Sequence, residues 1–71
     1  MEIQKLVGLN VRKHRLNAGI SQEEFAARMN VDQAYVSRLE AGQRNPTIKT
    51  IGEAASALSV EPAQLFERPG K

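Results

Sequence analysis

The chain has no cysteine and no tryptophan, and its aromatic residues are two phenylalanines and one tyrosine. Without thiols there is no disulfide to constrain the fold and no thiolate metal site. The single histidine, His14, has neither a second His nor a Cys to complete a ligand set, so a partly buried neutral imidazole is expected there and no metal. No apolar run approaches the ~20 residues of a membrane span, and no apolar leader follows the amino terminus. No helix combines a broad leucine or aromatic face with a dense basic one, so no membrane partner is expected. A glycine-rich phosphate loop is also missing. Glu23 and Glu24 are neighbours explained by a helix start, not a facing acid/base pair, so neither an enzyme nor a cofactor is expected. The expected location is the cytoplasm.

Seventy-one residues suit one domain, 1–71, with a core spanning about 7–66. Such a core is marginal on area alone, so self-association would help stability. The net charge of +2 mildly favours anionic partners. Lys5, Arg12, Lys13 and Arg15 crowd the first segment, Arg38, Arg44 and Lys49 come later, and Glu23, Glu24 and Glu53 dilute the total.

No stretch alternates long enough for a strand, and helical spacing predicts an all-α bundle of five short helices. Ile3, Leu6, Val7, Val11 and His14 fall near one face of a helix over 3–17, which Ala18-Gly19 ends. Ile20 precedes the cap Ser21 and can pack back onto Phe25. Ser21 followed by Glu24 is a capping box that opens a helix at Gln22. Asn30 ends that helix, since it tolerates left-handed backbone, and Asp32 caps a third helix from Gln33. Gly42 suits the end of the third helix, and Pro46 makes the break at Asn45 firm. Thr47 caps a fourth helix whose inward stripe is Ile48, Ile51, Ala55 and Leu58, and Glu61-Pro62 opens a fifth carrying Leu65 and Phe66. Arg68-Pro69-Gly70-Lys71 reads as a frayed tail. The expected core is Val7, Val11, Phe25, Ala26, Met29, Val36, Leu39, Ile48, Ile51, Ala55, Leu58 and Leu65.

The second and third helices form the informative unit: two short helices around a sharp turn at Val31. Val36 and Leu39 make the inward stripe of the third helix, leaving Gln33, Ala34, Ser37 and Arg38 outward on one face of its first turns. Gln and Arg suit bidentate recognition of adenine and guanine edges, so this helix can lie in a major groove of double-stranded DNA. Arg38 is the candidate guanine reader; a phosphate contact or an ion pair within the chain is the plainer alternative. Tyr35 has two readings, a contact with DNA backbone or a thymine methyl, and a cover over the core edge.

Val11-Arg12, Arg15, Gly19-Ile20-Ser21-Gln22-Glu23-Glu24-Phe25-Ala26, Val36-Ser37-Arg38-Leu39-Glu40-Ala41-Gly42, Arg44-Asn45-Pro46-Thr47 and Ala57-Leu58 stand in an order and spacing that resemble the lambda-repressor-like helix-turn-helix regulators. Tyr35-Val36-Ser37 through Glu40, Arg44-Asn45 and Leu65-Phe66 are similar to restriction-modification controller proteins. The resemblance implies a homodimeric transcriptional regulator acting on an inverted-repeat operator. It implies DNA-backbone contacts from Gln22, Tyr35, Arg44, Asn45 and Thr47, base contacts from Gln33, Ala34, Ser37 and Arg38, and a structural ion pair between Arg15 and Glu40. The expected dimer surface is Ile48, Leu65 and Phe66. RNA polymerase is a further partner that such a regulator would meet at a promoter. The competing function is an antitoxin or a helical adaptor that binds protein through the same polar face.

Overall fold

The computed structural model describes residues 1–69. Helices α1 (Ile3–Asn17), α2 (Gln22–Met29), α3 (Gln33–Glu40) and α4 (Ile48–Leu58) are followed by a short 3-10 helix, Pro62–Phe66, with no strand among the described residues. α1 packs on α3 and on the 3-10 helix, α2 packs on α3 and α4, and α4 closes against the 3-10 helix. The fifth helix is thus tighter than the α-helix expected. Its Pro62 start and a reciprocal capping box between Glu61 and Gln64 account for where it begins.

Helix boundaries follow from local hydrogen bonding. Ser21 Oγ accepts from the Glu24 N–H at 3.0 Å, Asp32 Oδ1 from the Tyr35 N–H at 2.8 Å, and Thr47 Oγ1 from the Thr50 N–H at 3.1 Å. Each such cap contributes about 1 kcal/mol. The expected capping box at Ser21 is only half formed, because the Glu24 carboxylate turns to Arg28 Nε at 3.0 Å one helical turn away. At their C-terminal ends all four α-helices turn through one left-handed residue, Gly19, Asn30, Gly42 or Ser59. After α3, for example, the Gly42 N–H returns to the Leu39 carbonyl and the Gln43 N–H to the Arg38 carbonyl, at 3.1 and 2.9 Å. The residues following three of these turns, Ile20, Val31 and Val60, pack onto the core.

The most deeply buried large side chains are Val11 of α1, Phe25 of α2, Val36 and Leu39 of α3, and Leu65 of the 3-10 helix. Burying each stabilises the fold by about 1.5–3 kcal/mol. α4 adds Ile51, Ala54, Ala55 and Leu58. The core also takes in Leu6 and Ala54, which were not expected in it.

Two expectations about apolar residues are corrected. Ile48 is 91% exposed and outside the core: it is the first residue of α4, its side chain leans toward the helix start, and no element stands there to cover it. Ile3 at the start of α1 is exposed for the same reason. Leu65, expected both in the core and on the dimer surface, is completely buried, so the first expectation holds and the second does not. Of the expected tail, Gly70 and Lys71 lie outside the described residues, while Arg68 and Pro69 are irregular and exposed.

Asn10 is a polar residue inside the apolar stripe of α1. Its Nδ2 donates to the carbonyls of Leu6 and Leu65 at 3.1 Å and of Glu67 at 2.7 Å, tying the C-terminal segment to α1. His14 is half-buried, as expected, and its Nε2 has no hydrogen-bond partner among the described residues.

Gly8 lets α1 ride directly on the backbone at the end of α3. A Cβ there would press on the Leu39 carbonyl oxygen and lie 2.8 Å from that of Glu40. Gly8→Ala is therefore expected to destabilise the fold by about 1–3 kcal/mol, as overpacking against unyielding backbone does, and urea unfolding measures it. Unchanged stability would mean that the two helices do not meet this closely.

Candidate nucleic-acid interface

Gln33, Ala34, Ser37 and Arg38 are all exposed on α3, directly over the buried Val36 and Leu39. A helix of eight residues is not stable in water by itself, so it is the apolar anchoring of its back that holds this row of side chains in place. The Arg38 guanidinium has no ion-pair partner among the described residues, which leaves it open to an external contact.

Behind the row lies a polar network. Glu40, on the side of α3 toward α1, takes two charge-assisted bonds from Arg15, at 2.5 Å from Nε to Oε2 and 3.0 Å from Nη2 to Oε1. Both side chains are almost fully buried, at 9% and 4% exposure. Arg15 Nη1 also donates to the Ile20 carbonyl at 3.0 Å, which closes the α1–α2 turn. The hydrogen bonds that Arg15 donates to Glu40 hold its guanidinium above the ordinary arginine pKa; burial opposes this, and the carboxylate charge adds to it. A raised pKa contributes stability that is present at lower pH and lost only as pH rises through the folded value. That value lies beyond the ordinary arginine range, so the cation persists at any neutral pH.

Gln22 opens α2 and joins the same network. Its Nε2 donates to Glu40 Oε1 at 3.1 Å, and its Oε1 receives Gln33 Nε2 at 3.4 Å. One N–H of Gln22 remains unengaged by these bonds and is available to a phosphate at the start of the helix, where the partial positive charge favours an anion. Gln22, Ser37, Arg12, Arg15, Glu40 and Ala41 line a groove of about 230 Å³ beside α3.

Arg44, Asn45 and Thr47 are exposed in the segment between α3 and α4, and Thr47 also caps α4. Tyr35 takes the second of its expected readings, the cover over the core edge: it is half-buried against the core, and the Arg44 guanidinium lies over its ring, 4.8 Å from the centroid. Stacking of this kind contributes roughly 0.5–1 kcal/mol at an exposed site and limits where Arg44 can point. The sequence-derived residues are thereby brought onto α3 and its two flanks, apart from Ile48 and Phe66 on a separate apolar patch and Leu65 in the interior. The link from Glu40 through Gln22 to Gln33 was not anticipated; its only sequence signal was the pairing of Arg15 with Glu40, which leaves the remaining carboxylate lone pairs in want of a donor.

The helix-turn-helix family model matches residues 11–65. The chain belongs to the lambda-repressor-like helix-turn-helix family. This helix-turn-helix protein is 46% identical over 65 residues to an uncharacterised HTH-type transcriptional regulator of Sinorhizobium fredii, covering 92% of this chain and 84% of the relative. Its fold matches the crystal structure of the restriction-modification controller protein C.AhdI from Aeromonas hydrophila with a TM-score of 0.84 and 38% identity, over 89% of this chain and 91% of that one. It also matches the controller protein C.Esp1396I, a tetramer in complex with its natural 35 base-pair operator, with a TM-score of 0.83 and 32% identity over 93% and 87% of the two chains.

The buried pair of this helix-turn-helix protein makes a sharp stability prediction. Arg15→Met leaves the Glu40 carboxylate buried without its cation and is expected to cost about 3–5 kcal/mol in chemical denaturation. The double variant Arg15→Met/Glu40→Leu should be more stable than that single variant. A loss below ~1 kcal/mol for Arg15→Met would mean that the carboxylate reaches solvent.

Proposed function

We propose that the protein is a sequence-specific DNA-binding transcriptional regulator that acts as a homodimer on an inverted-repeat operator, of the restriction-modification controller type. The observation that carries this reading is the outward row Gln33, Ala34, Ser37 and Arg38 on a helix pinned from behind by Val36, Leu39 and the Glu40 ion pair. In the proposed complex α3 enters the major groove, Arg38 reads guanine, and Gln33 reads adenine. Ser37 bonds either base, and Ala34 supplies apolar contact. Gln22, Tyr35, Arg44, Asn45 and Thr47 hold the DNA backbone and set the register without reading sequence. The complex of the related C.Esp1396I tetramer with its operator supports this arrangement.

One such helix reads only a few base pairs, so a second copy is needed for specificity, its half-site about one helical turn (~34 Å) away. The surface proposed for pairing is the apolar patch of Ile48 and Phe66, to which Ile3 adds. These residues surround a groove of about 210 Å³ floored by Val7 and Ile51 and edged by Pro46. The related tetramer again supports an occupant of the same kind, another copy of the chain. Bound at a promoter, such a dimer acts on RNA polymerase, either recruiting it or keeping it away.

Arg38→Ala is expected to lower affinity for DNA from the promoter of its own gene by about 1–3 kcal/mol and to flatten the preference at one base pair. Binding titrations against that DNA and its single-position variants measure this. Equal affinity of both proteins for operator and random DNA would sink the reading. Ile48→Glu adds a charge at a side chain that is 91% exposed, so it should leave the helical circular dichroism intact while sedimentation shows a monomer and operator affinity falls. A dimer that persists in Ile48→Glu places the interface elsewhere.

A further inference from the structure

We propose that the charge on Glu40 sets which way the Gln33 amide faces, and thereby which base Gln33 reads. The inference rests on the reading of α3 as the base-contacting helix and concerns how that contact is specified.

A salt-bridged carboxylate can only accept hydrogen bonds, whereas a glutamine amide can present either its oxygen or its NH2 to a neighbour. Glu40 therefore decides the orientation of whatever amide it touches. With Arg15 on Oε2 and Oε1, the remaining acceptor capacity of Oε1 is met by Gln22 Nε2 at 3.1 Å. Turning the Gln22 amide around would oppose two oxygens, one of them charged. Gln22 must consequently direct its NH2 inward and its oxygen outward, toward α3.

The outward oxygen imposes the same choice on the next amide. It receives Gln33 Nε2 at 3.4 Å, a long hydrogen bond and the weakest link of the series. Gln33 is exposed, so its remaining groups face outward. In this scheme the N–H trans to its amide oxygen is the one spent on Gln22. Left free are the oxygen and the N–H beside it, an adjacent acceptor and donor that match the N6–H2 and N7 of adenine. In the opposite orientation the oxygen would face Gln22 and only N–H groups would point outward, an arrangement suited to guanine, whose O6 and N7 are both acceptors. Glu40 touches no base in this scheme. It is a positioning residue, acting at a distance of two side chains.

The test is a half-site library randomised at every position, selected by the wild-type protein and by Gln33→Ala, Gln22→Met and Glu40→Gln, with thermal unfolding of each. Wild type should prefer adenine at one position, and Gln33→Ala should abolish that preference. Gln22→Met retains length but cannot relay, and Glu40→Gln frees the polarity of the chain. Each is expected to lower the adenine preference at that position by about tenfold, within what a bidentate base contact supplies, and Glu40→Gln should admit guanine there. The preference at the Arg38 position should remain in both. Wild-type preference retained by Gln22→Met while Gln33→Ala loses it would overturn the relay and leave the DNA-reading function standing. A uniform loss of preference at all positions would mean a merely structural contribution and would overturn it too. No change in Gln33→Ala would remove base reading by Gln33 itself, and the inference with it. If Glu40→Gln fails to fold, Gln22→Met tests the relay and the double variant Arg15→Met/Glu40→Leu tests the charge: it too should lower the adenine preference by about tenfold, and a wild-type preference in it would overturn the role of Glu40.

Discussion

Two opposite charges meet in the seam between α1 and α3, and the placement of the proposed DNA-reading surface depends on how they are satisfied. Removing Arg15 and Glu40 from water carries a desolvation cost that their mutual attraction alone need not recover. The geometry answers this with several donors: two from Arg15 and one from Gln22 surround the carboxylate, and the third arm of the guanidinium reaches the Ile20 carbonyl. The product is registry more than stability. The end of α3, the start of α2 and the turn leaving α1 can satisfy these groups together in one relative arrangement.

Packing supplies the rigidity that such a registry requires. α3 has only eight residues and gains its stability from Val36 and Leu39 against the common core. α1 comes close enough to the α3 backbone to leave no room for a side chain at Gly8. A short helix fixed on one face in this way can devote the opposite face to polar residues that contribute nothing to folding. Tyr35 joins the two demands, with its ring against the core and its outer face under the Arg44 guanidinium.

A second surface has the reverse character. Ile48, Ile3 and Phe66 stand exposed around a groove, although a chain this small can ill spare apolar area. Asn10 contributes to that surface indirectly: by holding the carbonyls of Leu65 and Glu67, it fixes the backbone that carries Phe66 between them. The buried polar residues of α1, Arg15 toward α3 and Asn10 toward the C-terminal segment, thus each anchor one of the two faces proposed for binding.

Read alone, the sequence determined the helices and the residues that start and stop them, because caps act within three or four residues: Ser21, Asp32 and Thr47 bond the N–H groups that their spacing predicts, and Asn30 and Gly42 take left-handed backbone. It also determined the outward row on α3, since period alone separates Gln33, Ser37 and Arg38 from Val36 and Leu39. The tertiary structure alone decided that Ile48 lies outside the core, that Leu65 leaves nothing exposed for a dimer surface, that Asn10 serves the C-terminal segment, and that Gln22 links Glu40 to Gln33. Periodicity states the direction in which a side chain points, but whether anything meets it there depends on segments distant in the chain.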